Sequence, residues 1–451
     1  MKKVSLSVCM IVKNEDQFLD DCLKSIREVA DQIVVVDTGS TDNTVAIARS
    51  HGAEVYPYDW SGDFAAARNE SIKYARGDWI LWLDADERLD EGSISELRSL
   101  LKAETKPVTY IIPIYNYLQD GKNYKISSAH RLFTNNKGIC FEGRIHEQVA
   151  YSISRLGGVE RPCNVILHHY GYGLDDAAQE KKNKRNRVLL ETMVAEEPDN
   201  AYAHFTLAQH YSLTGENRKA LKHFEIARRR NNFNPGMRVT LLNTMAEAYF
   251  REEQWDAAQD LLDQSIGLMQ EQTGAYYLQY RLAVSAGDIH LAIQRLKVLI
   301  EKNKKIAKNG KNVSTEIVFS QDVLNLHLAN LYFQMSEFEK ALALYDILPE
   351  DQHNSLTVLD RHALCCINSG RYGQAVKILR KLCSLLPENH HYLDLLATVY
   401  IKNQQFIEAA RLYEQLVQIY PQNQNIRKRL AGLYAKLGDF QKARDLITIS
   451  V

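Results

Sequence analysis

Cysteine is scarce in this sequence, and its pattern excludes two kinds of site. The chain has seven cysteines, an odd number, and no two of them form a CxxC pair. A disulfide framework or a structural zinc site is therefore not expected, and a reducing cytoplasm is the simpler environment. Cys365 and Cys366 lie in an apolar helical context, which is typical of a protein core.

The sequence also lacks a long apolar run and a strong bias of charge. No stretch approaches the roughly 20 apolar residues that span a bilayer, so we expect no integral membrane segment. The apolar run near the N-terminus ends at Lys13 and Asn14 without a small-residue cleavage site, which favours a buried strand over a signal peptide. The formal net charge is -1, so no overall charge directs the chain to nucleic acid.

Residues 1 to about 175 alternate apolar, strand-like runs with amphipathic helical segments. The runs SLSVCMIV, QIVVVDTGS and DWILWLDADE are each followed by a helical pattern. Alternation at this spacing predicts βαβ units, and so a mainly parallel sheet with helices on both faces. Ligands of such sheets bind beyond the carboxyl ends of the strands.

A helical repeat takes over from about residue 198. Equivalent positions recur at Ala208, Ala246, Tyr280, Ala329, Ala363, Ala397 and Ala431, and the last three are 34 residues apart. This period, with its small residues and aromatics, is typical of tetratricopeptide repeats. The pattern predicts about seven helix pairs over residues 198–451, stacked as an all-α solenoid with a concave surface for a peptide or protein.

Two further segments differ from these patterns. Residues 176–197 carry clustered basic side chains, and we interpret them as a basic helical linker. The basic face is either solvated or in contact with a phosphate or an acidic partner. Residues 301–315 form a polar, basic insertion among the repeats, which we expect to be a loop.

Three acids follow the apolar run WILWL within four positions: Asp84, Asp86 and Glu87. Asp-x-Asp at the carboxyl end of a strand can hold Mg²⁺ or Mn²⁺ that is shared with substrate phosphates. A turn that simply favours Asp, with solvated side chains, explains the same residues without a function. The motif is weak alone, so its surroundings decide between these interpretations.

Polar residues also follow the first two apolar runs. Asn14 and Glu15 lie just past the first run, and Asp37 ends the second. The following Gly-Ser-Thr turn caps the next helix, which explains Ser40 and Thr41 but explains Asp37 poorly. At a strand end, Asp37 can accept a hydrogen bond from a base or a ribose.

Together these segments resemble the family 2 glycosyltransferases of the GT-A fold. The resemblance runs through SVCMIVKNE, IVVVDTGSTDNT, DFAAARNESIKYARGDWILWLDADE and FEGRIHEQV, across most of residues 1–175. It implies an α/β GT-A (Rossmann-like) nucleotide-sugar domain, Mg²⁺ or Mn²⁺, and inversion at the anomeric carbon. Fusion to tetratricopeptide repeats resembles a bacterial subgroup of peptide and protein glycosyltransferases, bacteriocin S-glycosyltransferases among them.

The resemblance assigns a donor site residue by residue. Asp37 would recognise the uridine, and Val12 and Glu15 would line the same pocket. Asp84 would face the ribose or the metal, and Asp86 would bind the metal that bridges the diphosphate.

Two arginines are further candidates for the donor side. Arg68, in AAARN, is either a cation for the donor or an arginine on a helix surface. Arg131, in HRLF, could contact a phosphate.

The segment FEGRIHEQV offers groups for the acceptor side. Inversion needs a base opposite the departing diphosphate. We expect Glu147 to be this base and His146 to be a metal or diphosphate ligand; the reverse assignment stays open, and Glu142 is a third candidate. His168 and His169 are interpreted as packing residues, and a role as ligands at the rim of the site stays open.

The expected reaction moves a sugar from a UDP-sugar, with UDP-glucose favoured and UDP-N-acetylglucosamine second, to a Ser, Thr or Cys side chain. The repeats would recruit a peptide or protein acceptor, or form a homodimer, and would take no part in the sugar chemistry. Two alternatives stay open: a lipid-linked or cell-envelope saccharide as acceptor, and a catalytically silent scaffold.

Overall fold

The structure, a computed structural model, describes residues 4–117, 124–135, 137–170, 176–230, 233–309, 315–350 and 355–448. Two compact units make up the chain. The first comprises Met1–Ala286 and Val298–Ser320, and the second comprises Gly287–Lys297 and Gln321–Val451.

The strands of the first unit form one sheet: β1 (Leu6–Val12), β2 (Gln32–Asp37), β3 (Glu54–Pro57), β4 (Trp79–Trp82), β5 (Glu87–Leu89), β6 (Val108–Tyr117), β7 (Tyr124–Thr134), β8 (Val159–Pro162), β9 (Leu167–His169) and β10 (Thr315–Val318). Their order is β3-β2-β1-β4-β7-β6-β9-β5, with β8 on β6 and β10 on β7. The first four neighbours are parallel, whereas β7 runs antiparallel to both β4 and β6. The expected mainly parallel sheet is therefore correct for β1–β4, and the whole sheet is mixed.

Five α-helices accompany these strands: α1 (Leu19–Ile26), α2 (Thr44–Ser50), α3 (Phe64–Tyr74), α4 (Ile94–Leu100), preceded by a 3-10 turn, and α5 (Ala150–Arg155). Asp63 begins α3, since its carboxylate accepts from the amide of Ala66 at 2.9 Å. Strand β4 is buried throughout, and Gly77 lets it approach β1. A Cβ on Gly77 would lie 2.5 Å from the Ser7 amide nitrogen.

Strand β4 therefore packs tightly against β1, and this contact fixes where the following acids emerge.

Helix α6 (Asp176–Glu196) leads into helix pairs, which confirms the tetratricopeptide-like region. The pairs are α7 (Ala201–Leu213) with α8 (Asn217–Arg230), α9 (Pro235–Arg251) with α10 (Trp255–Leu268), α13 (Gln321–Gln334) with α14 (Phe338–Tyr345), α15 (Leu356–Asn368) with α16 (Tyr372–Leu385), α17 (His390–Lys402) with α18 (Phe406–Ile419), and α19 (Gln424–Lys436) with α20 (Phe440–Thr448). Helices α11 (Gly274–Ser285) and α12 (Ile289–Asn309) follow α10 in the chain. The recurring small residues, such as Ala208 and Ala397, are fully buried between helices. No helix of the described residues is long and apolar enough to cross a membrane.

The expectation of a loop at residues 301–315 is wrong for most of that segment. Helix α12 continues to Asn309, and β10 begins at Thr315 and pairs antiparallel with β7; residues 310–314 lie outside the described residues. The buried side chain of Asn303 donates to the Phe319 carbonyl at 2.9 Å and accepts from the Phe319 amide at 2.8 Å. The insertion thus adds a strand to the sheet of the first unit.

The second unit has its own helical core. Tyr345 and Tyr413 are fully buried in it. His362 lies 3.1 Å from the carboxylate of Asp346, and Arg429 donates to the Tyr413 hydroxyl at 2.9 Å. Polar contacts of this kind join successive helix pairs and fix their register.

Candidate functional site

The carboxyl ends of β1, β2 and β4 meet at one edge of the sheet. Val12 pairs in register with Asp37, because β1 and β2 are parallel neighbours. Strand β4 lies on the other side of β1 and delivers Asp84 and Asp86 to the same edge. The residues that the sequence singled out after three separate strands are therefore brought to one edge.

Asp37 holds the turn that follows its own strand. Both of its carboxylate oxygens accept from the Ser40 amide, at 3.1 and 3.2 Å. Asn14, at a φ of 57°, accepts from the Thr41 amide at 2.7 Å and joins this turn to the end of β1. Asp37 thus holds the turn before α2 and lies beside the buried Val12 in the strand register.

The expected cap by Ser40 and Thr41 is wrong: α2 begins at Thr44, whose amide donates to Asp42 at 3.0 Å.

Asp84 lies between two arginines. Arg68 donates to one of its oxygens at 2.6 Å, and Arg131 approaches the other at 3.3 Å. Both guanidinium groups stack on the Trp82 ring, at 4.1 and 3.3 Å from its centroid. Burial opposes ionisation of Asp84, but the two arginines outweigh it and hold the pKa of Asp84 below its usual range. Arg68 is therefore a buried residue of the site and not an arginine on a helix surface.

Asp86 has a different partner. His169, at the end of β9, places Nε2 3.1 Å from Asp86, and its Nδ1 lies 2.9 Å from the side-chain oxygen of Asn116. Burial lowers the pKa of His169, but the bond to Asp86 and the neighbouring acids outweigh this and raise it. For His169 the structure thus favours the alternative of a polar group at the rim of the site over packing alone.

His168 fits the packing interpretation better, since it stacks on Tyr117 and lies 3.1 Å from Asp90.

Glu15 lies close enough to the Asp-x-Asp pair to feel its charge. Burial, together with repulsion from Asp86 and Asp84, raises the pKa of Glu15 to about 7. Lys182 of the basic helix α6 acts in the opposite direction on Glu15. The negative charge of Glu15, Asp84 and Asp86 thus exceeds the positive charge of Arg68 and Arg131 at this edge of the sheet.

Glu87 is a buried member of this cluster with no role assigned from the sequence. It accepts from Arg131 at 2.6 Å and from the Asp84 amide at 3.0 Å. Burial raises the pKa of Glu87 to about 7, against the attraction of Arg131. Glu87 fixes both the turn of the Asp-x-Asp and the position of Arg131.

Residues 142–148, here called the base loop, carry the acceptor-side candidates. Glu147 is nearly buried and forms an ion pair with Arg68, so one guanidinium joins it to Asp84. The residue His146 is exposed overall, but packing around its ring, together with His210 and Lys182, lowers the pKa of His146 against the attraction of Glu147. Glu142 pairs with Arg155 at 2.6 Å on the exposed side.

The structure therefore brings Glu147 to the donor cluster. It does not bring the His146 ring to Asp86 within the described contacts, where His169 takes that place.

A divalent cation fits Asp86 better than Asp84. No three His, Cys, Asp or Glu side chains of the described part of the chain form a complete metal site. Asp84 is already neutralised by arginines, whereas the ion-pair partner of Asp86 among the described residues is His169, and Asp86 lies near Glu15. A site with few protein ligands suits Mg²⁺ or Mn²⁺ shared with phosphate oxygens.

Comparisons with known proteins identify the class. Residues 7–154 match the family model Glycosyl transferase family 2, and residues 400–448 match a model of the tetratricopeptide repeat. An uncharacterized glycosyltransferase of Rickettsia typhi is 32% identical over 221 residues, which cover 43% of this chain and 74% of that protein. The chain belongs to glycosyltransferase family 2 and joins a GT-A-like α/β domain to tetratricopeptide repeats.

Two other relatives are similar to this chain over a stretch that includes part of the repeats. A TPR repeat-containing protein of Synechococcus elongatus is 35% identical over 261 residues, 56% of this chain and 64% of that protein. The SPbeta prophage-derived glycosyltransferase SunS of Bacillus subtilis is 28% identical over 225 residues, 48% of this chain and 51% of SunS. The chain thus spans between half and two thirds of the length of these two relatives.

Proposed function

We propose that this protein is a metal-dependent, inverting glycosyltransferase that moves a sugar from a UDP-sugar to a Ser, Thr or Cys side chain of a peptide or protein. UDP-glucose is the favoured donor and UDP-N-acetylglucosamine the second. One observation carries the proposal: Arg68 joins the nearly buried carboxylate of Glu147 to Asp84, two residues before Asp86 at the edge of the sheet.

On this proposal each side chain has a task in the transfer. Asp37 and Glu15 hold the nucleoside, and Asp86 with His169 would hold Mg²⁺ or Mn²⁺, which would offset charge on the departing diphosphate. Glu147 takes the proton of the acceptor hydroxyl or thiol as the new bond to the anomeric carbon forms. Arg68 and Arg131 keep the carboxylates in place, and Trp82 supports both guanidinium groups.

The presence of the helical repeats favours a polypeptide as the acceptor. Helix pairs of this kind offer an extended surface at the scale of a peptide. The similarity to SunS, a glycosyltransferase, agrees with the proposed sugar transfer. A second copy of the chain is a further proposed partner, because Leu437, Phe440 and Ile447 at one end of the second unit are exposed. We propose a cytoplasmic location, where nucleotide sugars are made.

The test is a panel of nucleotide sugars with and without Mn²⁺, read first as donor hydrolysis and then as transfer to candidate peptides. We expect hydrolysis of UDP-glucose that needs the metal and that exceeds hydrolysis of GDP- and dTDP-sugars. Absence of hydrolysis with every donor would favour a silent scaffold. Hydrolysis with transfer to a lipid-linked saccharide, and not to polypeptide, would favour the envelope alternative. The molar mass of the full chain, measured by light scattering, tests the proposed dimer.

A further inference from the structure

The base loop, residues 142–148, has an unusual backbone. Its ends are joined by two hydrogen bonds of 3.0 Å between Glu142 and Gln148. Gly143 and His146 both have positive φ, at 95° and 55°. A histidine in this region costs energy, and such strain persists where the surroundings hold it. The residue next to His146 is Glu147, so this backbone sets the direction of the proposed base.

The groups that hold the base loop belong to helices α6 and α7. Ile145 is buried in the core that the first helix pairs form, together with Leu190, Met193 and Phe205. Arg144 makes a two-pronged ion pair with Glu196 of α6, with both nitrogen–oxygen distances at 2.7 Å. The loop that carries Glu147 is therefore packed into the repeats, although the sequence assigns it to the α/β domain.

The hydroxyl of Tyr202, in the first turn of α7, completes this hold. It accepts from Gln148 Nε2 at 2.6 Å and donates to the carbonyl of His146 at 3.3 Å. It thus bonds to the residues on both sides of Glu147. The Tyr202 ring lies edge-on to Tyr151, at 6.4 Å between centroids, which fixes the position of the hydroxyl.

We propose that Tyr202 is a positioning residue for sugar transfer: it holds the strained peptide at His146 and so keeps Glu147 directed at the donor. The inference rests on the proposed role of Glu147 as base. Without the hydroxyl the base loop relaxes, and Glu147 spends less time in place. A displacement of this kind slows the chemical step and leaves the donor pocket, on the opposite side of Arg68, unchanged.

The kinetic test is Tyr202→Phe in the full chain, with Tyr211→Phe as the matched control. Tyr211 lies in the same helix, is more buried than Tyr202, and donates its hydroxyl to Glu191 at 2.9 Å, away from the base loop. For UDP-glucose hydrolysis with Mn²⁺, we expect Tyr202→Phe to lower kcat about tenfold with the donor KM within about twofold of wild type. Tyr211→Phe should keep wild-type kcat. Equal kcat for the two variants, or a rise in KM with kcat unchanged, overturns the inference.

A second measurement does not depend on turnover. Amide hydrogen exchange of residues 142–148 reports opening of the base loop. We expect exchange there to be about fivefold faster in Tyr202→Phe than in wild type or Tyr211→Phe, with the same melting temperature in all three proteins. Unchanged exchange overturns the inference. If wild type hydrolyses no donor, the proposed function fails, and exchange still decides whether Tyr202 holds the loop.

Discussion

At the scale of residues, the carboxylates of the site outnumber the guanidinium groups that pair with them. Two buried guanidinium groups, Arg68 and Arg131, serve three carboxylates, those of Asp84, Glu87 and Glu147. Asp86 pairs with His169 at 3.1 Å and lies in the field of Glu15, whose pKa is raised to about 7. The surplus of negative charge is thus concentrated at Asp86, which is where a cation would be most stabilised.

This balance predicts the effect of Asp86→Ala. We expect the variant to lose metal-dependent donor hydrolysis by about 10² or more while it keeps its fold, since Asp86 is not part of the arginine network. Calorimetry with Mn²⁺ and UDP should show weaker binding by the variant. The exposed Asp20→Ala is the control. Full turnover of wild type in excess EDTA, with metal removal verified, would contradict the metal role.

Glu147→Gln separates the base from the donor site. The amide keeps the size of the side chain but cannot take a proton, so transfer should fall by about 10²- to 10⁴-fold while donor affinity stays within a few-fold. His146→Ala should keep most of its activity, because the bond to Tyr202 is made by the backbone carbonyl of His146, which the variant keeps. The opposite ranking of the two variants would exchange their roles. A thiol acceptor would depend on Glu147 less than a hydroxyl would.

Glu15 predicts a dependence of stability on pH. Its raised pKa, about 7, means that the folded state keeps a proton that the unfolded chain releases near pH 4.5. The contribution of Glu15 to stability is therefore fully present below the unfolded pKa, and it is lost as the pH rises to about 7.

Glu15→Gln removes the loss of stability that comes with ionising the side chain of Glu15 as the pH rises. Its melting temperature relative to wild type should rise by about 2 °C or more between pH 5 and pH 7.5 without metal. For the exposed control Glu28→Gln, the difference in melting temperature from wild type should not change with pH. A difference that does not grow with pH for Glu15→Gln would contradict the burial and repulsion assigned to it.

At the scale of elements, the sequence predicts what repeats locally and misses what long-range pairing decides. The strands that carry Val12, Asp37 and Asp84 are apolar runs with polar ends, so their meeting at one edge follows from parallel pairing. The helix pairs follow from their period. Strand β10 gives no such signal, because a short segment in a basic insertion becomes a strand only by pairing with β7.

The partner of His169 could not be predicted from the sequence for a related reason. Its pairing with Asp86 depends on β5 lying antiparallel to β9, which places Glu87 opposite His169. The two segments are about 80 residues apart in sequence, and neither has a periodicity that indicates its partner. The signal that was present is the pair of histidines at the end of an apolar run, close to the end of the α/β pattern.

At the scale of the molecule, the compact first unit does not end where the α/β pattern does. It continues through α7–α11 and returns through β10. The domain boundaries at residues 175 and 197, taken from the sequence, stay predictions, but Ile145 and Tyr202 show that the first helix pair supports the base loop. The expectation that the repeats take no part in the chemistry therefore has to be restricted to the later helix pairs.

Two shortened chains test this division of tasks. A chain that ends at Ser320 keeps the sheet, the base loop and β10, so donor hydrolysis should stay within about threefold of the full chain. Transfer to the acceptor polypeptide found in the donor and peptide screen should fall about tenfold or more, since the helix pairs from α13 onward are gone.

A chain that ends at Asp199 also loses α7, and with it Tyr202 and the residues that cover Ile145. Its hydrolysis of the donor should be abolished. Circular dichroism controls for folding of both chains. Efficient transfer by the chain ending at Ser320 would give the second unit another role, and wild-type hydrolysis by a folded chain ending at Asp199 would show that the α/β part holds its base loop alone.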